Sequence, residues 1–419
     1  MEREPHVNPE RLWADLQRLG EIGRGDRGIS RLAFSLADME GRRWLFQRMS
    51  EAGLQARMDA VGNVIGDVDG GVDRDVDRGA GESPAIMIGS HCDTVPEGGV
   101  FDGALGVLAG VEVARALRDA GHRLRHPLRV LAFANEEGSR IMPGTFGSRA
   151  FVGLISEAEW SRVAPVLADA GLGAPSLPEP EFSSDKCLCY LELHIEQGGV
   201  LDSAAEDIGV VTGIVWITSF TATFRGEPNH AGTTPMEKRK DALLGAAELV
   251  LEVPEAVRRL GSPASVGTCG QLSVLPGGRN VIPGEATMSV EVRDLDEGVA
   301  MRVVESITEA ARVIAGRRAL GVDLTAVSAN RGALMDPRMQ DLIEKAAKDL
   351  RLPFRRMPSG AGHDAMNMAP LTPTGMIFVP SKGGISHSPA EWTSMEQCRA
   401  GVDVLLRTVM AVDSDRKEG

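Results

Sequence analysis

Basic charge is scarce in this 419-residue sequence: 45 Lys and Arg stand against 59 Asp and Glu, a net charge of −14 at pH 7. Nucleic acid and anionic membrane surfaces both need a basic field, so the charge balance argues against either as a partner. A small anionic substrate stays open, since one or two placed arginines suffice for it. Long apolar runs are missing as well. No stretch approaches the roughly 20 residues that span a bilayer, and the opening MEREPHVNPERLWADL is charged and carries no apolar signal core. A cytoplasmic location is the default expectation. Paired cysteines are lacking too: Cys92, Cys187, Cys189, Cys269 and Cys398 are odd in number and form no CxxC. That pattern suits a reducing compartment and packing roles. Cys92 stands out because it lies between His91 and Asp93.

What is present is an ordinary globular composition, 43% hydrophobic and 25% charged, in a chain longer than one core usually serves. RRWLFQRMSEAGL reads as an amphipathic helix ending at Gly53, and QARMDAVGNVIGDV as a hairpin turning at Gly62 and Asn63. DGGVDRDVDRGAGESP is acidic, Gly-rich and aperiodic, which predicts an exposed loop. AIMIGS, LGVLAGVEVARALRDAG and LRVLAFA then predict a βαβ unit, and continuous apolar strands of this kind belong in a sheet covered on both faces. Chemistry in such sheets gathers at the carboxyl ends of the strands, here SHCD and NEEG. From Gly213 the pattern changes to alternation, in IVWITSFTATF and ATMSVEVRD, accompanied by helical periods in KDALLGAAELVLEVPEAVRRL and from Asp296 to Arg318. The expected fold is α/β: a large catalytic domain, residues 1–213 and 331–419, with a mixed sheet flanked by helices, and an inserted α+β domain, residues 214–330.

Histidine is rare, with eight in the chain. His6, His122 and His126 sit in polar or terminal surroundings and read as surface residues. The other five fall in SHCDT, LHIEQGG, NHAGTTP, GAGHDA and ISHSP, all dense in glycine, carboxylates or hydroxyls. His91, Asp102, Glu137, His194 and His387 make a mixed nitrogen and oxygen donor set suited to zinc, manganese or a similar divalent ion. A metal pair needs anionic oxygens to offset its charge and one carboxylate shared between the ions. Asp102, in the Gly-bounded turn GGVFDGALG, is the candidate bridge. One ion would take His91, Asp102 and His194, the other Asp102, Glu137 and His387. Asp93 is expected to orient the His91 imidazole.

In order along the chain, GSHCDTVPEGGVFDGALGVLAG, FANEEGSR, ELHIEQGGVL, GEPNHAGTTPM, GGRNVIPG, VEVRD, SGAGHDA and ISHSP closely resemble the amidase, hydantoinase and carbamoylase branch of the M20 metallopeptidase-like family. These motifs cover residues 88–389. The resemblance implies two divalent metal ions per subunit (zinc, manganese or cobalt), held by His91, Asp102, Glu137, His194 and His387. It also implies that the inserted domain is a lid that forms a homodimer, and that the substrate is a small ureido carboxylate. Glu136 would be the general base, which fits the proton transfer that cleavage of a poorly electrophilic urea carbonyl demands. His230 would stabilise the oxyanion from the partner subunit. Gln197, Asn280 and Arg293 would hold the substrate, Arg293 and Asn280 at its carboxylate, with backbone at Gly360 and Ala361 close by. His363 and Asp364 are expected to support the ligands. The activity implied is hydrolysis of N-carbamoyl-L-amino acids, with allantoate hydrolysis and β-ureidopropionate hydrolysis as the alternatives. A non-catalytic metal-binding or interaction protein on the same fold would carry damage to the base or a ligand, and the sequence carries none.

Overall fold

The computed structural model describes residues 4–70 and 83–414. Most of the loop expected between Asp69 and Pro84 therefore lies outside the described residues. The chain divides into two compact units, Met1–Thr212 with Met335–Gly419, and Gly213–Leu334.

The first unit is built on a mixed sheet. Its centre is four parallel strands in the order Thr374–Val379, Cys187–Ile195, Ala85–His91, Leu128–Phe133. Antiparallel strands extend it on both sides: Val64–Val68 and Gln55–Met58 beyond Leu128–Phe133, and Ile208–Ile214 beyond Thr374–Val379. Every residue of Ala85–His91 and Thr374–Val379 is buried, which is why these strands read as unbroken apolar runs rather than alternations. Helices Ala104–Ala120, Pro337–Asp349 and Met395–Ser414 pack on the sheet. Leu105, Leu108, Val130, Leu191, Ile377 and Leu405 belong to the one core they share.

Two local expectations shift. The second helix is Leu36–Glu51 and starts ahead of Arg42, because Ser35 caps it by accepting from the Asp38 amide. The hairpin connection is longer than Gly62 and Asn63, since the last paired residues are Met58 and Val64. Asp59 organises that connection by accepting from the amides of Val61 and Asn63.

The second unit is a five-stranded antiparallel sheet with helices Ala242–Leu260 and Glu297–Arg317. Alternate residues of Glu285–Asp294, namely Ala286, Met288, Val290 and Val292, bury against Leu249, Val303 and Ile307. On Trp216–Arg225 the buried alternation begins at Phe220. Ile214 lies in the preceding strand and Trp216 is half-buried, so the alternation expected along IVWITSFTATF is broken at Val215. No helix of the described residues is long and apolar enough to cross a membrane.

Candidate active site

All four parallel strands of the first unit point their carboxyl ends the same way, and each end delivers a polar group. His91 closes its own strand, Glu136 and Glu137 follow Leu128–Phe133, His194 and Gln197 lie at the end of Cys187–Ile195, and His387 follows Thr374–Val379. Asp102 sits just ahead of the helix Ala104–Ala120. Three of these turns use left-handed backbone at residues other than glycine: Asn135 (φ 53°), Gln197 (φ 58°) and His387 (φ 53°). Such conformations are costly and persist where the surroundings enforce them. Asn135 and Gln197 each stand two residues past a strand end, Asn135 directly ahead of the two glutamates, and His387 is itself the imidazole residue.

The donors converge as two overlapping groups, His91, Asp102 and His194, then Asp102, Glu137 and His387, each with candidate ligand atoms within 4.8 Å of one another. Asp102 Oδ1 lies 3.2 Å from His194 Nε2 and 3.8 Å from His91 Nε2. Its Oδ2 lies 3.2 Å from His387 Nε2, which is 3.4 Å from Glu137 Oε2. The two buried imidazoles are fixed alike. His91 Nδ1 faces the Asp93 carbonyl at 3.1 Å and His194 Nδ1 the Ile195 carbonyl at 2.9 Å. With Nδ1 engaged there, Nε2 is the nitrogen that each ring turns toward Asp102.

Asp93 does not act as expected. Its carboxylate is 3.8 Å from His91 Nδ1, which is beyond hydrogen-bond range, and the orienting contact is made by its backbone carbonyl. The carboxylate instead accepts from the amides of Glu136 and Glu137, each at 3.2 Å. An acidic side chain two residues along can reach the neighbouring strand end more easily than curl back to the ring. Behind it, the fully buried Arg42 lies 4.0 Å away and is bonded to Asp38. Asp93 thus sets the turn that carries the glutamate pair.

The electrostatics are those of anions without enough counter-charge. Burial pushes the Glu137 carboxyl up to about 9, with Asp102 and Asp93 adding to it. Glu136 is also raised by burial and by Asp364 and Glu137. Burial would raise Asp102 too, but bonding from His194 and His387 holds it well below the usual carboxylate range. Burial lowers His91 to about 4, whereas Asp102 carries His194 up to about 9 against its own burial. Within the donor set Glu137 Oε1 is buried with no hydrogen-bond partner, and Asp102 Oδ1 faces the Nε2 atoms of His194 and His91. Anionic oxygens beside imidazole nitrogens, one of them orphaned, are what a divalent cation would satisfy, so the residues fit the metal pair. Glu136 stands at the edge of the first group, its Oε2 3.7 Å from His91 Nε2. Cys92 is no nucleophile here, since burial pushes its thiol up to about 11.

Gln197 turns toward the same cluster, donating from Nε2 to Asp102 Oδ2 at 2.9 Å. His363 is buried with its ring 4.5 Å from that of His194 and its Nε2 2.8 Å from Ser359 Oγ. Ser359 Oγ also donates to the Ala361 carbonyl, which places Gly360 and Ala361 on the loop beside His363. Asp364 accepts from Ser148 rather than from any of the five donors.

The second unit holds the other three candidates. His230 Nδ1 accepts from the amides of Gly232 and Thr233, so a neutral ring carries its proton on Nε2 and presents it as a donor. Asn280 lies next to it, its carbonyl accepting from the Ala231 amide. Arg293 lies on the strand Glu285–Asp294, ion-paired with Glu291 at 2.7 Å.

Three contributors have no role assigned from the sequence. Glu192, the first residue of ELHIEQGGVL, accepts from Ser90 Oγ, Tyr190 Oη and the Ala365 amide. Arg42 and Glu391 come from positions that no motif marks.

The sequence profile of peptidase family M20/M25/M40 matches residues 87–411. The chain is 39% identical over 411 residues to an N-carbamoyl-L-amino acid amidohydrolase of Geobacillus stearothermophilus, covering 96% of this chain and 98% of that one. An allantoate amidohydrolase of Escherichia coli (strain K12) is 34% identical, with 90% and 91% covered. The crystal structure of an amidase of the hydantoinase/carbamoylase family from Burkholderia multivorans superposes with a TM-score of 0.88 at 34% identity, covering 99% of this chain and 100% of that one.

Proposed function

The chain belongs to peptidase family M20/M25/M40, and from that premise we propose that it is a metal-dependent amidohydrolase cleaving the carbamoyl C–N bond of N-carbamoyl-L-amino acids. The products are the amino acid, ammonia and carbon dioxide. The observation that carries the reading is the pair of overlapping donor groups sharing Asp102, with Glu136 at their edge. The 39% identity to a carbamoyl-amino-acid amidohydrolase, against 34% to an allantoate amidohydrolase, favours the first substrate class.

His91, Asp102 and His194 would hold one divalent ion, and Asp102, Glu137 and His387 a second, with zinc, manganese and cobalt as candidates. When bound, such a pair supplies Lewis-acid polarisation of the carbonyl and a water that ionises near neutral pH. Glu136 takes the proton of the attacking water and passes it to the departing nitrogen; its burial and raised proton affinity suit a group that must carry a proton between the two. His230, reaching in from the second subunit of the dimer, would donate from Nε2 to the oxyanion, and Gln197, Asn280, Arg293 and the backbone of Gly360 and Ala361 would hold the substrate. Asp93 fixes the backbone that carries Glu136.

The second unit serves as lid and dimerisation unit in this reading. Support comes from Leu272 and Leu275, exposed on a strand that pairs on one side only among the described residues. Sedimentation showing a monomer at micromolar concentration would remove the dimer from the proposal.

The deciding assay measures ammonia release by protein loaded separately with zinc, manganese or cobalt, from N-carbamoyl-L-amino acids, allantoate and β-ureidopropionate. Turnover of carbamoyl amino acids is expected. Turnover of allantoate or β-ureidopropionate alone transfers the assignment to that ureide, and release from none of them sinks the hydrolase.

A further inference from the structure

We propose that Glu391 is a positioning residue that ties the Asp102 turn to the His387 segment, so that Asp102, Glu137 and His387 form one donor group only while Glu391 holds the two together. The inference rests on the two-cation reading above and concerns how this chain builds the second of the two groups.

Asp102 and His387 come from segments without regular structure, and no sheet ladder links them. Glu391 does. Its Oε1 accepts from the amides of Phe101 and Asp102 at 2.9 and 3.2 Å, and its Oε2 accepts from Ser386 Oγ at 3.0 Å. Ser386 precedes His387, and its Oγ is also 3.3 Å from Asp102 Oδ2. One carboxylate therefore grips the residue before and the residue of the shared ligand, together with the residue before the imidazole ligand. Glu391 is itself 4% exposed, so water offers these amides little alternative.

The packing on either side reinforces the grip. A Cβ on Gly99 would stand 2.2 Å from Glu391 Oε1 and 2.4 Å from its Cδ, so a side chain at 99 would evict the carboxylate. Trp392 meets the ring of Phe101 at 5.8 Å and that of Trp13 at 5.5 Å. The neighbours of Glu391 and of Asp102 are thus packed together while their polar groups are bonded. Glu391 has no place in either donor group and spends both oxygens on protein donors. Its effect on a cation passes through Asp102 and His387.

The test is titration of metal-depleted protein with cobalt(II), followed by visible d–d absorption and by elemental analysis, for wild type, Glu391→Ala, Glu391→Gln and Gly99→Ala. Wild type is expected to take two equivalents. Glu391→Ala should keep one and bind the second about 10- to 100-fold more weakly, the scale of a lost outer partner, with altered d–d bands. Glu391→Gln keeps an acceptor for the two amides and gains a donor for Ser386 Oγ, so it should restore both equivalents. Gly99→Ala, which displaces the carboxylate from the opposite side, should follow Glu391→Ala, and it carries the comparison if the latter fails to fold. Melting of the metal-free proteins should agree within a few degrees.

Two wild-type equivalents in both Glu391→Ala and Gly99→Ala overturn the role of Glu391 and leave the two-cation reading standing. Loss of both equivalents together with a collapsed metal-free melting temperature also overturns it, making Glu391 merely structural. Fewer than two equivalents in wild type overturns the two-cation reading itself, and the proposal with it.

Discussion

Two carboxylates in adjacent positions point apart on an extended turn, and Glu136 and Glu137 end near different histidines, His91 and His387. The separation lets one side chain complete a donor group while its neighbour stays outside both. Glu136→Gln keeps the shape and removes the proton acceptor. Turnover is expected to fall by about 10²- to 10⁴-fold, with metal content by elemental analysis unchanged. Loss of metal in this variant, or undiminished ammonia release, would take the base role away from Glu136. These donors are legible in the sequence because histidine is rare and five of the eight lie in Gly- and carboxylate-rich motifs. The partners of Asp93 and Glu391 are not legible. Which amide a carboxylate accepts from depends on how far strand ends and returning segments fold together, and for Glu391 the two bonded amides are 290 and 289 positions away.

At the scale of elements, Ala85–His91 and Leu128–Phe133 are readable as continuous apolar runs, and that continuity predicts a covered sheet with chemistry at its carboxyl ends. Strand order is not readable, since Cys187–Ile195 enters beside Ala85–His91 from far along the chain. What brings the ligand-bearing strands close under one helix is Gly106 in Ala104–Ala120. A Cβ there would stand 2.3 Å from the Leu193 carbonyl oxygen and 2.8 Å from Ser90 Cβ, the neighbours of His194 and His91. Gly106→Ala sets two effects against each other. Helix propensity favours alanine by up to about 1 kcal/mol, while overpacking against a backbone atom costs about 1–3 kcal/mol. A backbone oxygen cannot rotate out of the way, so the clash wins. Thermal unfolding should shift down by a few degrees and cobalt affinity should fall. An unchanged or raised melting temperature would show that the helix moves freely over the sheet and does not set the ligand positions.

For the whole molecule, the balance of charge inside the first unit ties stability to cation binding and to pH. Without a cation, burial and neighbouring carboxylates raise Glu136 and Glu137, the latter to about 9, and Asp102 lifts His194 to about 9. Groups whose proton affinity is higher in the folded chain than in the unfolded one stabilise it at low pH and lose that contribution as pH rises. His91, lowered to about 4, works the other way, but only up to its unfolded value near 6.5. Asp102, held below its unfolded value, has its effect below about pH 4. Between roughly pH 6.5 and 8.5 the raised groups act alone, so metal-free protein should become less stable as pH rises. A bound cation replaces the protons on these carboxylates, and the loss should vanish in loaded protein. Saturation at about 1,000 times the dissociation constant adds about 4 kcal/mol, a shift of about 5 °C for a chain of this length. Calorimetry of metal-depleted and manganese-loaded protein across this range should therefore show a gap in melting temperature that widens toward alkaline pH. A gap constant with pH would mean that the buried carboxylates are already ionised without metal. Absence of any gap would mean that the folded chain holds no cation at this site.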